Sequence, residues 1–373
     1  MILFIKNILS DSAFIRRILN RKLIKKGTLK KEEELNLDEA NRVLINFKLK
    51  EDLFVGLVKD YDKMCEGFVL DRAYWPKFKR FLKNNFIRYE YYDIASSNWQ
   101  SEAEKFDVII WHMHSSPVSL MEASPKIYFL EKIMKKVCVP SYNELWSYEN
   151  KINLNYLYNF FDLPQIPTYV GFQKDEALSF IEKSSLPLVS KLTTGSASLG
   201  VEKLNTKKSA ENLVNKIFSY RGKKTYWPYL RQKGYVYLQQ FIPNADFDLR
   251  VIVVGNKLFG YYRFPKKNDF RASGSGKYAK KEIETNALDL AWNVKECFGT
   301  KFLATDMLYS QEQNKYLIIE SSFFIGVDTC EQLVINGVAG YYEKTKHGYE
   351  FKSGKFWMQE LLLMEVFKEL SIN

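Results

Sequence analysis

Apolar and polar positions along the chain follow two periods. Short apolar runs at residues 53–58, 88–94 and 106–111 read as strands, and residues 76–84 between the first two read as a helix with proline in its first turn. Strands alternating with helices predict a parallel α/β layer over residues 49–140. Asn143 is expected to cap a helix that includes Lys151 and runs to Phe161, where Pro164 and Pro167 end it. Residues 187–192 read as a strand followed by a loop of small residues, and 209–220 as a helix. Residues 235–242 and 249–254 are β-rich, with Gly255-Asn256 as a hairpin turn. A helix over 285–298, strands over 302–309 and 316–321, and a closing helix over 356–370 complete the pattern.

Composition changes this picture little. The 373 residues are 46% apolar and 27% charged, which excludes a disordered or collagen-like chain. No apolar run reaches the ~18 residues of a membrane-spanning helix. The cysteines Cys65, Cys138, Cys297 and Cys330 are scattered without a C-x-x-C pair, so a zinc ribbon or disulfide framework is not expected, and a reduced, cytoplasmic location is.

The net charge of +11 suggests a polyanion partner until its distribution is read. Residues 1–31 hold nine Lys/Arg against one acid, Asp11, which leaves only +3 for the rest. The excess sits on a terminal arm, so nucleic acid is not the expected partner. Ile5, Ile8, Ile15, Leu19 and Leu23 fall near one helical face of that arm, interrupted by Arg16 and Lys26. Two readings stay open: a basic helix docked on its own protein or a second subunit, or a peripheral contact of residues 1–31 with the inner face of a membrane.

Several signals carry little chemistry. His112 and His114 stand two apart near a strand end with no third ligand nearby, which favours a structural or substrate-facing pair over a metal site. His347 is isolated. There is no G-x-S-x-G elbow. The 16% aromatic content is expected mainly in the core.

One segment stands out. In Pro187-Leu-Val-Ser-Lys191-Leu-Thr-Thr-Gly195-Ser196-Ala-Ser198-Leu-Gly200-Val201 a lysine ends a strand and a small-residue loop follows. Backbone amides in such a loop can approach phosphate oxygens, and the lysine adds a point charge. It is not a Walker loop, because the lysine precedes the glycines. Downstream stand Gln240-Phe241-Ile242, Asp248-Leu-Arg250, Arg263 and Asp269-Phe-Arg271, then Asp306 within one strand and Glu320 ending the next. Carboxylates are disfavoured inside β-rich runs. Two of them after a phosphate loop and several arginines suit a magnesium–triphosphate site.

In these residues the chain resembles the ATP-grasp superfamily, closest to its α-L-glutamate ligase and glutathione synthetase-like branch, over about residues 151–326. The resemblance implies an α/β chain with α+β grasp lobes: a basic helical arm (1–48), a pre-grasp α/β domain (49–140), a central lobe with the phosphate loop (141–235), and a C-terminal lobe with the magnesium site and closing helix (236–373). It implies that Lys151, Lys191 and the loop residues Gly195, Ser196, Ser198 and Gly200 contact ATP phosphates. It also implies that Gln240, Phe241 and Ile242 flank adenine, that Asp248 lies near the ribose, and that Arg250, Arg263 and Arg271 face phosphate or substrate. Asp306, Glu320 and Ser322 would ligate magnesium or manganese. The family pattern has Glu at Gln240, Gly at Ser198, Asn at Ser322, Pro at Ile325 and Asn at Ser273.

The implied activity is ATP-dependent joining of a carboxylate to an amine through an acyl phosphate, with ADP as product. The carboxylate would belong to a small molecule, an anionic cell-envelope saccharide or an acidic peptide. Arg263, Lys266, Lys267, Arg271, Lys277, Lys280 and Lys281, set against Asp269 alone, suit an anionic acceptor. A homo-oligomer is compatible with the resemblance. The alternatives are an inactive ATP-binding scaffold or regulatory module, suggested by Ser322 and Ser273, and a basic membrane or nucleic-acid adaptor.

Overall fold

The computed structural model describes residues 35–59, 72–195, 200–227, 229–267, 269–273 and 275–372. The arm over residues 1–31, Ser196 and Ser198 lie outside the described residues. Among the described residues no helix is long and apolar enough to cross a membrane.

The first layer is built from β1 (Phe54–Leu57), α1 (Trp75–Asn84), β2 (Arg88–Tyr91), α2 (Trp99–Ala103), β3 (Val108–Ile110), α3 (Pro117–Tyr128) and β4 (Val137–Val139). Its strands form a parallel sheet in the order β2-β1-β3-β4. β1 and β3 are buried along their whole length, as central parallel strands covered on both faces require. Pro76 takes the first turn of α1, where its missing N–H costs nothing.

Two helices follow, α4 (Tyr142–Ser147) and α5 (Lys151–Phe160), where the sequence pattern suggests one. Asn143 lies inside α4 and does not cap it. Ser141 caps α4 through a capping box with Glu144, and Asn150 caps α5 by accepting the Asn153 N–H at 3.2 Å. A left-handed residue, Glu149 at φ 52°, makes the break between them.

The smaller lobe holds β5 (Thr168–Gly171), α6 (Lys174–Lys183), β6 (Leu188–Ser190), β7 (Glu202–Leu204), α7 (Lys207–Ile217), the short pair β8 (Lys223–Lys224) and β9 (Arg231–Gln232), and β10 (Val236–Gln240). Its antiparallel sheet runs β5-β10-β6-β7. Ala177, Ile181, Ala210, Leu213, Val214 and Ile217 bury one face each of α6 and α7 against it and form a core of their own.

The largest sheet carries β11 (Asp248–Val254), β12 (Lys257–Arg263), β13 (Tyr278–Ala279), β14 (Phe302–Ser310), β15 (Lys315–Ser322), β16 (Val334–Ile335), β17 (Val338–Thr345) and β18 (Gly348–Ser353). Its order is β15-β14-β11-β12-β17-β16, with β13 on β12 and β18 on β17. The Gly255-Asn256 turn does join β11 to β12. Helix α8 (Thr285–Phe298) packs on β11 and β14 and ends at Gly299, whose φ of 61° closes the helix without Cβ strain. The closing helix is α9 (Met358–Glu369).

The parallel layer, α4, α5 and the large sheet share one continuous hydrophobic core. The sequence suggests a central lobe from residue 141; α4 and α5 contribute to the core of the large body, and α6 and α7 to the separate core of the smaller lobe. A three-residue cluster of Ile166, Ile242 and Leu317 lies where the lobe meets the body.

Helices α1 and α9 lock the parallel layer to the large sheet. Phe81 stacks on Phe367 at 5.8 Å, and Arg80 donates to Glu360 at 2.7 Å and to the Ala40 carbonyl at 2.8 Å. Glu360 is fully buried. Removing its cation leaves a buried carboxylate uncompensated, which costs about 3–5 kcal/mol. Arg80→Ala is therefore expected to lower unfolding free energy by about that amount in urea titration. A loss below about 0.5 kcal/mol would show that the pair does not hold the two layers together.

Candidate active site

A cleft of about 260 Å³ opens between the smaller lobe and the large sheet. Lys191, which follows β6 of the smaller lobe, and Lys151, the first residue of α5 in the large body, both line it. Asp306 on β14 and Glu320 on β15 line it too. Alternation puts these acids on one face, because Arg250, Asp306 and Glu320 are direct neighbours across β11, β14 and β15. Register shifts between Asp306 and Met307, so that Ile319 is an extra residue on β15. A bulge of this kind re-aims the side chains on either side of it.

The acids and arginines form one ionic cluster. Arg250 grips Asp306 with two hydrogen bonds, Nε to Oδ1 at 2.6 Å and Nη2 to Oδ2 at 2.8 Å. Arg263 Nη2 lies 2.7 Å from Asp306 Oδ2, and its Nε donates to Asp248, its partner across β11 and β12. Burial opposes the Asp306 charge, but Arg250 and Arg263 outweigh it and hold this carboxyl well below the usual carboxylate range. Burial pushes Asp248 up to about 6, against the pull of Arg263.

The two lysines differ. Lys151 Nζ donates to the Gly195 carbonyl at 2.9 Å and lies 3.1 Å from Glu320 Oε2. Burial works against its charge, yet Glu320 and Glu149 keep its pKa above the usual lysine value. Lys191 is 6% exposed and makes no ion pair among the described residues. Burial pushes it down to about 8, with the more distant Glu320 opposing. A buried ammonium facing a cleft without a counter-ion is a ready anion site.

The loop after Lys191 is gripped at its first described end, and glycine sits at the other. Thr193 receives a hydrogen bond from the Lys151 N–H at its carbonyl, 2.9 Å, and donates through Oγ1 to Asn150 at 2.8 Å. At Gly200, φ is 73° and a side chain would run into Leu192, so glycine is required.

The strand end at Gln240-Phe241-Ile242 forms another wall of the cleft. The Gln240 and Phe241 N–H groups are used by Pro167 and Pro187 carbonyls at 2.9 and 3.2 Å. The Ile242 N–H has no partner among the described residues and remains available to a ring edge. Lys203 stands 3.5 Å from the Phe241 ring centroid, and Phe270 meets Phe241 edge-on at 5.8 Å.

Most of the residues singled out in the sequence converge here, but Arg250, which grips Asp306, and Gly200 are not on the cleft wall, and three others differ in their contacts or place. Asp248 lines the cleft but spends its carboxylate on Arg263, so it is not set aside for a ribose. Arg271 also lines it, yet its guanidinium is bound by Asp269 two residues back, at 3.0 and 2.9 Å, and is 41% exposed. The Ser322 hydroxyl donates to the Phe324 carbonyl at 2.5 Å and lies outside the cleft wall. Away from the cleft, His112 stacks on Tyr74 at 3.9 Å and meets Phe324 edge-on at 4.7 Å, a structural setting. No group of three or more His, Cys, Asp or Glu suited to a metal occurs among the described residues. Asp306 and Glu320 fit a hard cation whose shell is completed by phosphate oxygens.

Sequence reasoning misses Glu149, Asn150, Lys203 and Phe270. A signal existed only for Phe270, which lies between the noted Asp269 and Arg271. The others enter the site through tertiary contacts alone.

Residues 161–339 match the model of the RimK-like ATP-grasp domain. The chain is 28% identical over 216 residues to the alpha-aminoadipate–LysW ligase LysX of Saccharolobus solfataricus, covering 57% of this chain and 69% of that one. It is 29% identical over 160 residues to a probable alpha-L-glutamate ligase of Vibrio vulnificus, covering 41% of this chain and 48%, about half, of the relative. Among solved structures, D-alanine–D-alanine ligase from Bacillus anthracis superposes with a TM-score of 0.51 at 12% identity, covering 74% and 88% of the two chains. D-cycloserine synthetase DcsG gives 0.52 at 14%, covering 73% and 91%. The two superpositions establish the shared fold.

The Lys191 charge makes a prediction for the ligand-free protein. Its folded pKa of about 8 lies below the ordinary 10.5, so the unfolded chain binds more protons between these values. Stability is therefore expected to rise as pH climbs from about 8 to 10.5, with the full penalty present below 8. Lys191→Met should remove that slope and add up to ~3 kcal/mol at pH 7. Urea unfolding at several pH values measures both, and an unchanged slope in the variant would exclude Lys191 as its source.

Proposed function

The chain carries a RimK-like ATP-grasp domain over residues 161–339, and from that premise we propose that it is an ATP-dependent carboxylate–amine ligase. The observation that carries this reading is Lys191, a buried ammonium with no ion pair among the described residues, lining the same cleft as the register-paired acids Asp306 and Glu320.

In this reading adenine meets the Ile242 N–H beside Phe241, with Lys203 and Phe270 closing the aromatic side. Lys151, Lys191 and the loop from Gly195 to Gly200 take the phosphates. Asp306 and Glu320 hold magnesium, and Ser322 contributes only if its hydrogen bond to Phe324 is given up. When bound, the cation neutralises phosphate charge. The substrate carboxylate attacks the γ-phosphorus and ADP leaves, giving an acyl phosphate. The amine then attacks the acyl carbon, releases phosphate and loses a proton. No enzyme nucleophile takes part. Arg250 and Arg263 stabilise charge on the transferring group, and the loop excludes water. Arg271 acts at the rim, exchanging Asp269 for an anionic substrate.

Two relatives are named as ligases, one for alpha-aminoadipate and LysW and one probably for alpha-L-glutamate. This supports an amino-acid or peptide partner. The basic rim around Lys266, Lys267 and Lys277 supports an anionic one, an acidic peptide or uronic saccharide. A cytoplasmic enzyme with residues 1–31 touching a membrane surface, or a second copy, completes the proposal.

A second reading, an inactive ATP-binding scaffold, is favoured by one observation: Asp306 is occupied by two arginines while the Ser322 hydroxyl is bonded to Phe324. Hydroxylamine separates the two. An active enzyme supplied with Mg-ATP and a panel of carboxylates yields a hydroxamate, and Arg263→Ala lowers that yield by about 10²–10³. A scaffold yields none. Binding itself is checked by thermal unfolding. Mg-ATP at 100 times its Kd should add about 2.7 kcal/mol, and Lys191→Ala should abolish the gain. No shift with millimolar Mg-ATP would sink the nucleotide assignment.

A further inference from the structure

Glu149 takes no part in the proposed chemistry, yet its placement is costly. It is a non-glycine residue at φ 52°, a region that L residues enter only when their surroundings force them. Its Oε2 is enclosed and has no hydrogen-bond partner among the described residues. Burial pushes the carboxyl up to about 7, while Lys151 and the Gly195 amide stabilise its charge. Glu320 and Arg250 are its other charged neighbours.

Neighbouring contacts show what this strained residue serves. Residues 149–151 grip residues 193–195 position by position. The Lys151 N–H binds the Thr193 carbonyl, Lys151 Nζ binds the Gly195 carbonyl and Asn150 Oδ1 accepts the Thr193 hydroxyl, while Lys151 and the Gly195 amide favour the charged form of the Glu149 carboxyl. Tyr235 OH holds the Thr193 N–H from the far side at 3.2 Å. Gly195, at φ 135°, is the residue from which the loop departs, and it lines the cleft. The turn between α4 and α5 is therefore a clamp on the root of the loop, with Lys151 serving both clamp and cleft.

We propose that Glu149 is a positioning residue for phosphate recognition: its carboxylate orients the Gly195 amide and the Lys151 ammonium toward the phosphate end of the cleft. It touches no substrate and acts through those two groups. Its loss is expected to weaken binding of the triphosphate and leave binding of the base and ribose as it was. A merely structural role would instead weaken every nucleotide alike. The inference rests on the nucleotide reading of the cleft.

The test is calorimetric titration of the full chain with magnesium and either AMP or the non-hydrolysable triphosphate AMP-PNP, for wild type, Glu149→Gln and Glu149→Ala. In wild type the triphosphate binds more tightly than AMP. In Glu149→Ala the affinity ratio should fall about tenfold, the size of one hydrogen bond to a charged group, with AMP affinity nearly unchanged. Glu149→Gln keeps an acceptor for the Gly195 amide but no charge for Lys151, and should fall about threefold. An unchanged ratio in both variants, or equal loss for both nucleotides, overturns the proposal and leaves the ligase reading intact. If Glu149→Ala does not fold, the near-isosteric Glu149→Gln decides alone. Wild type that binds neither nucleotide overturns this inference together with the reading beneath it.

Discussion

The site depends on one buried carboxylate, Asp306, and on the two guanidinium groups that neutralise it. Burying any of the three alone is prohibitive, and together they remain stable only while paired. The pairing is a property of strand register. Arg250 faces Asp306 across β11 and β14, Arg263 faces Asp248 across β12 and β11, and Asp306 faces Glu320 across β14 and β15. A slip of one residue in any ladder would turn these groups to the other face of the sheet. The apolar packing of α8 beneath β11 and β14 can thus be understood as what keeps a polar arrangement in line.

The same pairing explains how the cleft carries so much charge without ligand. Arg250 and Arg263 sit on Asp306, Lys151 sits on Glu320 and the Gly195 carbonyl, and only Lys191 lacks a counter-ion among the described residues. A polyanion entering the cleft need not create a binding surface.

Much of this was legible in the chain. The apolar runs of β1, β3 and β11, the helix over Thr285–Phe298, and acids stranded in β-rich sequence all rest on local pattern, and local pattern survives folding. What failed was whatever tertiary contact decides. Asn143 has the right chemistry for a cap, but Ser141 with Glu144 three residues on has better, and the left-handed turn at Glu149 was invisible without the loop it grips. Asp248 and Arg271 both line the cleft, but their ion pairs with Arg263 and Asp269 were not legible, because a sequence does not say which arginine reaches which acid. That α4 and α5 join the large core was not legible for a related reason: an apolar helix face does not announce which core it joins.

The separateness of the smaller lobe's core has a mechanical meaning. Its apolar residues close on one another, and among the described residues the small cluster of Ile166, Ile242 and Leu317 is the separate buried apolar cluster beside the body. Two backbone hydrogen bonds, Ile166 N–H to the Ile318 carbonyl and Ile318 N–H to the Pro164 carbonyl, stitch the same place. Beyond it the lobe is held to the body by polar contacts, among them the grip of Asn150 and Lys151 on Thr193 and Gly195, so the joint is polar while each body has its own apolar core. A group filling the cleft would therefore bridge two cores that share little apolar contact of their own.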